Sequence, residues 1–267
     1  MSRLHRRNDR SAKSSGVFHP LRQERPPAGL EWVWGRHAVE AALANPRRPT
    51  LQRLVLAPGK SLSKPDHAPD PETMESREIT RLLPPGAVHQ GYALLSAPVE
   101  PAELEDIAEP ATGVILVLDQ VTDPQNVGAI LRSAAAFGAR GVILQERHAP
   151  PLSGALAKAA AGAADVVPVV RVVNLSRALE RLNELGWRSV GLDASADSNL
   201  DEVLDASATV LVLGSEGEGL RRLVAEHCDV VAGIGMTGGF ESLNVASAAT
   251  IALYEATKLA RKGNRLP

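Results

Sequence analysis

Beyond residue 113 the apolar positions fall into short unbroken runs alternating with amphipathic stretches. GVILVLDQV, GVILQ, residues 166–170, VGLD, ATVLVLG and DVVAGIG read as strands. Apolar runs without polar alternation predict strands covered on both faces, hence an α/β fold with a mostly parallel sheet between helix layers. Between them lie helical patterns. In NVGAILRSAAAFG, Val127, Ile130, Leu131 and Ala134 recur at i, i+3, i+4 and i+7, and Gly138 supplies a stop. An Ala-rich helix is predicted over 153–164. In NLSRALERLNELG, Asn174 caps a stripe of Leu175, Ala178, Leu179 and Leu182. Another helix follows Gly219, and a last one runs from about Glu241 to Lys262.

The earlier half reads differently. WGRHAVEAALANP predicts a short helix with Val39, Ala42 and Leu43 on one face, ended by Asn45 and Pro46; LQRLVLA (51–57) predicts a strand. Pro58, Pro65 and Pro69 mark 58–73 as a surface loop. A helix near Glu75–Leu83 and a strand near Tyr92–Leu95 complete a small α/β module. Four segments result: an arm (1–30), the module (31–98), a Pro-bearing acidic linker (99–112) and the larger α/β domain (113–267).

Composition narrows the picture. With 44% apolar but only 3% aromatic residues, the core must be built from Ala, Val, Leu and Ile. The single Cys228 cannot form an intrachain disulfide, and no Cys/His cluster has metal spacing, so no metal and a reducing cytoplasm are expected. The N-terminal MSRLHRRNDR has no apolar run after its charges, as a signal peptide would, and no stretch approaches the 18 or so apolar residues of a membrane span. Net charge is −2, yet residues 1–30 carry seven basic against two acidic residues. That basic arm reads equally as a phosphate-neutralising RNA contact and as a solubilising tail.

Chemistry is expected where loops leave the carboxyl ends of strands. The first such loop, DQVTDPQN (119–126), leads into the helix carrying Arg132; Asp123 and Pro124 also suit a helix start, and Arg132 also suits a solvated surface. The second, VLVLGSEGEGL (210–220), holds Gly214, Gly217 and Gly219 in a spacing that is not the dinucleotide fingerprint, which disfavours a nicotinamide dehydrogenase. Its Glu216 and Glu218 would repel a pyrophosphate and suit a ligand with positive charge or hydroxyl donors. A plain strand-to-helix turn is the alternative. The third, IGMTGGFESLNVASAATIALYE (234–255), presents Ser242 and Asn244 at a helix start, where each could be merely a capping group. No G-x-S-x-G elbow occurs, which disfavours a serine hydrolase.

Taken in order, DQVTDPQNVGAILRSAAAFGA, VLGSEGEGLRRLVAEHCD and GMTGGFESLNVASAATIALYEA are similar to the three signature motifs of the SpoU/TrmH family of RNA ribose 2′-O-methyltransferases, of the SPOUT class. WGRHAVEAAL and VHQGYA resemble that family's substrate-binding extension, of ribosomal L30e-like shape, found in the subgroup acting on a guanosine of 23S rRNA. Gly235 and Ala246 stand where proline and serine are common. The resemblance implies a deep trefoil knot, a homodimer through the C-terminal domain and S-adenosyl-L-methionine as cofactor. It places Leu213, Gly214, Gly217, Ile234, Met236, Ser242 and Leu243 at the cofactor, and Asn126, Arg132, Glu216, Ser242 and Asn244 at the chemistry. Because a guanidinium stays protonated at neutral pH, Arg132 is expected to stabilise alkoxide charge or grip a phosphate rather than act as base. The expected partner is structured RNA, rRNA first, with tRNA as alternative; a non-catalytic RNA-binding protein of the same fold is the rival from another class.

Overall fold

The computed structural model describes residues 26–152, 155–238 and 242–263, so most of the basic arm lies outside the described residues. The module is built from β1 (Glu31–Trp34), α1 (Arg36–Ala44), β2 (Leu51–Leu56), β3 (Pro71–Thr73), α2 (Ser76–Leu82) and β4 (Tyr92–Ser96). Its sheet runs β1-β4-β2-β3, with β4 antiparallel to both neighbours. Two of these strands escaped the sequence pattern. β1 is only four residues long, and β3 lies inside the proline-rich loop. Pro71 is tolerated because β3 is an edge strand pairing only with β2.

After α3 (Leu104–Ala108) come β5 (Val114–Leu118), α4 (Pro124–Phe137), β6 (Gly141–Gln145), α5 (Ala155–Ala160), α6 (Ala163–Val166) and β7 (Val169–Val172). The chain continues through α7 (Leu175–Glu184), β8 (Arg188–Leu192), α8 (Leu200–Val203), β9 (Thr209–Leu213), α9 (Arg222–Glu226), β10 (Val230–Ala232) and α10 (Val245–Gly263). The six strands form a wholly parallel sheet in the order β10-β8-β9-β5-β6-β7. One face packs Leu116 and Leu118 against α4 and α10; the other packs Ile115 and Val117 against α7 and Trp187. Burial on both faces is what the apolar runs required.

The helix caps follow the sequence closely. Asp123 accepts from the Gln125 N–H ahead of Pro124, Gly138 ends α4 in the left-handed region, and Asn174 accepts from Ser176 and Arg177 N–H. The Ala-rich segment is broken, however. Ala161 and Gly162 have φ of +49° and +89° and divide α5 from α6, and β7 starts at Val169, later than expected. A Cβ on Gly162 would lie 2.9 Å from the Ala38 Cα, so this turn is where the module's α1 meets the larger domain. Asn244 caps α10, moving its start from Glu241 to Val245.

Residues 99–112 do not dangle as a linker. Ala102 bridges to Val170 at the edge of β7, and Ile107 and Ala108 are buried. Trp187 donates its indole N–H to the Ala108 carbonyl (2.8 Å), and Arg140 donates to the Ile107 and Glu109 carbonyls. A buried ion cluster adds a second tie. Arg48, with a side chain only 2% exposed, grips Asp165 of α6 with Nε and Nη2 (2.6 and 3.0 Å) and reaches Glu31, Ser96 and the Ala97 carbonyl through Nη1.

Cys228 is shielded between α9 and the sheet, its Sγ 3.4 Å from the Val224 carbonyl. Burial, then the charges of Asp229 and Asp119, push its thiol up to about 12. The native protein should therefore resist a thiol-disulfide reagent at pH 8 and react once unfolded in guanidinium. Fast labelling of the native state would contradict that placement.

Candidate active site

The loops leaving β5, β9 and β10 meet at the carboxyl edge of the sheet. β5 and β9 are hydrogen-bonded neighbours, so their outgoing loops lie side by side. The β9 loop is tightly folded: Ser215 and Gly219 exchange backbone hydrogen bonds of 3.1 Å each. Gly217 (φ +90°) and Gly219 (φ +67°) take up the left-handed turns. Gly214 is needed for a different reason, since a Cβ there would stand 2.1 Å from the Gly219 carbonyl.

That fold aims Glu216 at the other two loops. Its Oε1 accepts from Asn126 Nδ2 (3.2 Å), from Asn244 Nδ2 and from the Val245 N–H (3.4 Å). Asn244 Nδ2 also donates to Asn126 Oδ1 (3.0 Å), while its own Oδ1 accepts from the Ala246 and Ser247 N–H groups at the start of α10. The amide orientations follow: the carboxylate can only accept, so both amides present NH₂ to it. Three residues separated by 90 and 28 positions thus form one polar cluster.

A second tie was missed in the sequence. Asp119, at the end of β5 and 0% exposed, accepts from the Arg221 backbone N–H (3.0 Å) and Nε (2.8 Å), and Arg221 continues to Gln145. This locks the far end of the Gly214–Leu220 loop to the sheet. An aspartate ending an otherwise apolar strand was the available signal, because a buried carboxylate requires donors.

Arg132 stands apart. Six helical residues rotate it about 240° around α4 from Asn126. It is exposed and forms no hydrogen bond or ion pair among the described residues. Ser242 and Leu243 are exposed in the segment entering α10. Leu213 is buried as the last residue of β9, Ile234 is half-buried against the core, and Met236 is exposed. The three segments 193–199, 214–220 and 233–244 contain no Lys or Arg. Their described surface offers carboxylate and carbonyl acceptors beside the apolar Met236 and Leu243. Such a lining suits a ligand with donors or positive charge and a flat apolar part, and disfavours phosphate.

Residues 113–254 match the model of the SpoU rRNA methylase family. The 23S rRNA (guanosine-2′-O-)-methyltransferase RlmB of Pseudomonas aeruginosa is 39% identical over 246 residues, 84% of this chain and 95% of that protein. A relative from Mycolicibacterium smegmatis, named as an uncharacterized tRNA/rRNA methyltransferase, is 42% identical over 179 residues, which are 65% of this chain; the match spans only 57% of its length. Among solved structures, the SpoU methyltransferase AviRb from Streptomyces viridochromogenes in complex with the cofactor AdoMet is similar with a TM-score of 0.71 and 26% identity, covering 90% of this chain and 92% of that one. By its motifs, its parallel sheet and these matches together, the chain belongs to the SpoU rRNA methylase family.

Proposed function

We propose that the protein transfers a methyl group from S-adenosylmethionine to a ribose 2′-hydroxyl of RNA, with a guanosine of 23S rRNA as the target. The carrying observation is the Asn126–Glu216–Asn244 cluster at the convergence of three loops. The 23S target is supported by the 39% identity to RlmB over most of both chains. The cofactor is supported by the acceptor-rich, cation-free lining and by the AdoMet complex of a relative. When bound it supplies an already activated methyl group, so the protein's task is positioning.

Each side chain then has a limited part. Leu213, Gly214, Gly217, Ile234, Met236 and Leu243 hold the cofactor, the glycines by letting backbone approach it. Glu216 fixes the two amides, leaving Asn126, Asn244 and Ser242 to orient the sugar hydroxyl in line with the methyl group. Arg132, an exposed cation without a described partner, grips an RNA phosphate or stabilises the oxygen as it loses its proton. We extend the reading to a homodimer, for which the half-exposed Ile251 and Tyr254 on α10 supply an apolar stripe. A trefoil knot is supported by the passage of 233–235 against 193–200, with Gly233 donating to the Ser198 carbonyl and accepting from Leu200. The module over 31–98 is read as an L30e-like RNA-binding unit and the compartment as the cytoplasm, where ribosomal RNA is modified; the basic residues of the arm all lie outside the described residues.

The test is methyl incorporation into purified 23S rRNA and tRNA, with the modified nucleotide mapped. Wild-type protein should label 23S rRNA. Glu216→Ala should lower kcat on the order of 100-fold, because the amides lose their common acceptor. Labelling of tRNA alone would move the target to the tRNA alternative, one of the two RNA classes in the name of the mycobacterial relative. Absence of both incorporation and cofactor binding would leave the RNA-binding rival.

A further inference from the structure

β8 lies between β10 and β9 in the sheet, so the residue after it emerges between the two loops assigned to the cofactor. That residue is Asp193. Its backbone N–H donates to the Ala232 carbonyl (3.1 Å), which pins it beside the start of the β10 loop. Both flanking loops approach it through glycine. A Cβ on Gly233 would stand 3.2 Å from the Asp193 carbonyl oxygen, and one on Gly219 would stand 3.7 Å from Asp193 Oδ2.

The two carboxylate oxygens are used unequally. Oδ1 accepts from the Ser195 N–H (2.8 Å) and hydroxyl (2.7 Å). Oδ2 has no hydrogen bond, and the residue no ion pair, among the described residues. The Ser195 hydroxyl and then its N–H hold the Asp193 carboxyl below the usual range, so the group is an anion at neutral pH. Closing a local turn needs only one oxygen. The second is a fixed acceptor beside Gly219 of the β9 loop, on a residue whose backbone carbonyl lies against Gly233 of the β10 loop, in a region whose three segments contain no cation of their own.

We infer that Asp193 is a cofactor-binding residue, its Oδ2 accepting a hydrogen bond from a ribose hydroxyl or the ammonium group of S-adenosylmethionine. The inference rests on the methyltransferase reading above. It adds a charged side chain to a cofactor site otherwise assigned to glycines and apolar residues.

Isothermal titration of the full chain with S-adenosylmethionine, S-adenosylhomocysteine and 5′-methylthioadenosine tests it. Asp193→Ala should weaken S-adenosylmethionine about tenfold or more, as expected for a hydrogen bond to a charged group. A parallel loss for 5′-methylthioadenosine places the contact on the ribose. A loss confined to the two ligands with an amino-acid tail places it on the ammonium. Ser195→Ala is the control, since it loosens the turn and leaves Oδ2 in place; its affinity should stay within about threefold of wild type. Unchanged affinity in Asp193→Ala, or an equal loss in Ser195→Ala, overturns the assignment while wild-type binding keeps the methyltransferase reading standing. Failure of the wild-type chain to bind any of the three overturns both.

Discussion

Gly214→Ala is expected to abolish measurable cofactor binding and to destabilise the fold by about 2–4 kcal/mol. The added Cβ would stand 2.1 Å from the Gly219 C and O atoms and 2.4 Å from the Leu220 N, all of them backbone. No rotamer change relieves such a clash, so the turn itself must open. The paired bonds between Ser215 and Gly219 go with it, and Glu216 is carried away from Asn126 and Asn244. Gly217→Ala separates strain from crowding. A Cβ at Gly217 meets nothing within 4 Å, but φ is +90°, so only backbone strain of about 1–2 kcal/mol applies. Titration calorimetry and denaturant unfolding of both variants decide it; wild-type affinity in Gly214→Ala would refute the loop geometry.

The largest stability loss is expected at a position remote from the chemistry. Arg48→Met should cost about 3–5 kcal/mol, the scale for removing one partner of a buried ion pair. It leaves the Asp165 carboxylate, 4% exposed, with Asn45 Nδ2 as its remaining donor, and strands Glu31 beside it. Burial already holds the Glu31 carboxyl above its usual range despite Arg48, so its ionised form opposes folding at neutral pH. That opposition fades as pH falls toward the carboxylate range, and the deficit of the variant should shrink with it. Arg48→Met combined with Asp165→Leu should recover part of the loss, since the more deeply buried of the two carboxylates is then gone and only Glu31 remains beside the methionine. Urea unfolding at pH 7 and pH 5 measures both effects. A deficit below about 1 kcal/mol would mean that the cluster behaves as a solvated surface pair.

Much of the fold was legible because its signals are local. Apolar runs at 114–118, 141–145 and 209–213 read directly as doubly buried strands. Asp123, Gly138 and Asn174 marked helix ends because capping acts within one turn of the chain. Features that depend on a distant partner were not legible. β3 exists through its pairing with β2, and the break at Gly162 exists because α1 packs there. Residues 99–112 read as a linker because their polar ends hid Ile107 and Ala108, which find a core only beside Trp187.

The site divides along the same line. Its residue types were evident in three ordered motifs, and Asn126, Glu216 and Asn244 were among the named candidates. Their mutual hydrogen bonds, the Asp119–Arg221 tie and the separation of Arg132 from the cluster required the folded chain.

What the sequence determined alone was the alternation of strand and helix, the caps and the chemical types at each loop, since these depend on neighbours within a turn or two. Tertiary structure alone decided which oxygens are saturated and which are left free, as at Asp193. Whether a polar atom is satisfied depends on groups brought within 3 Å from elsewhere in the chain, a quantity no local pattern encodes.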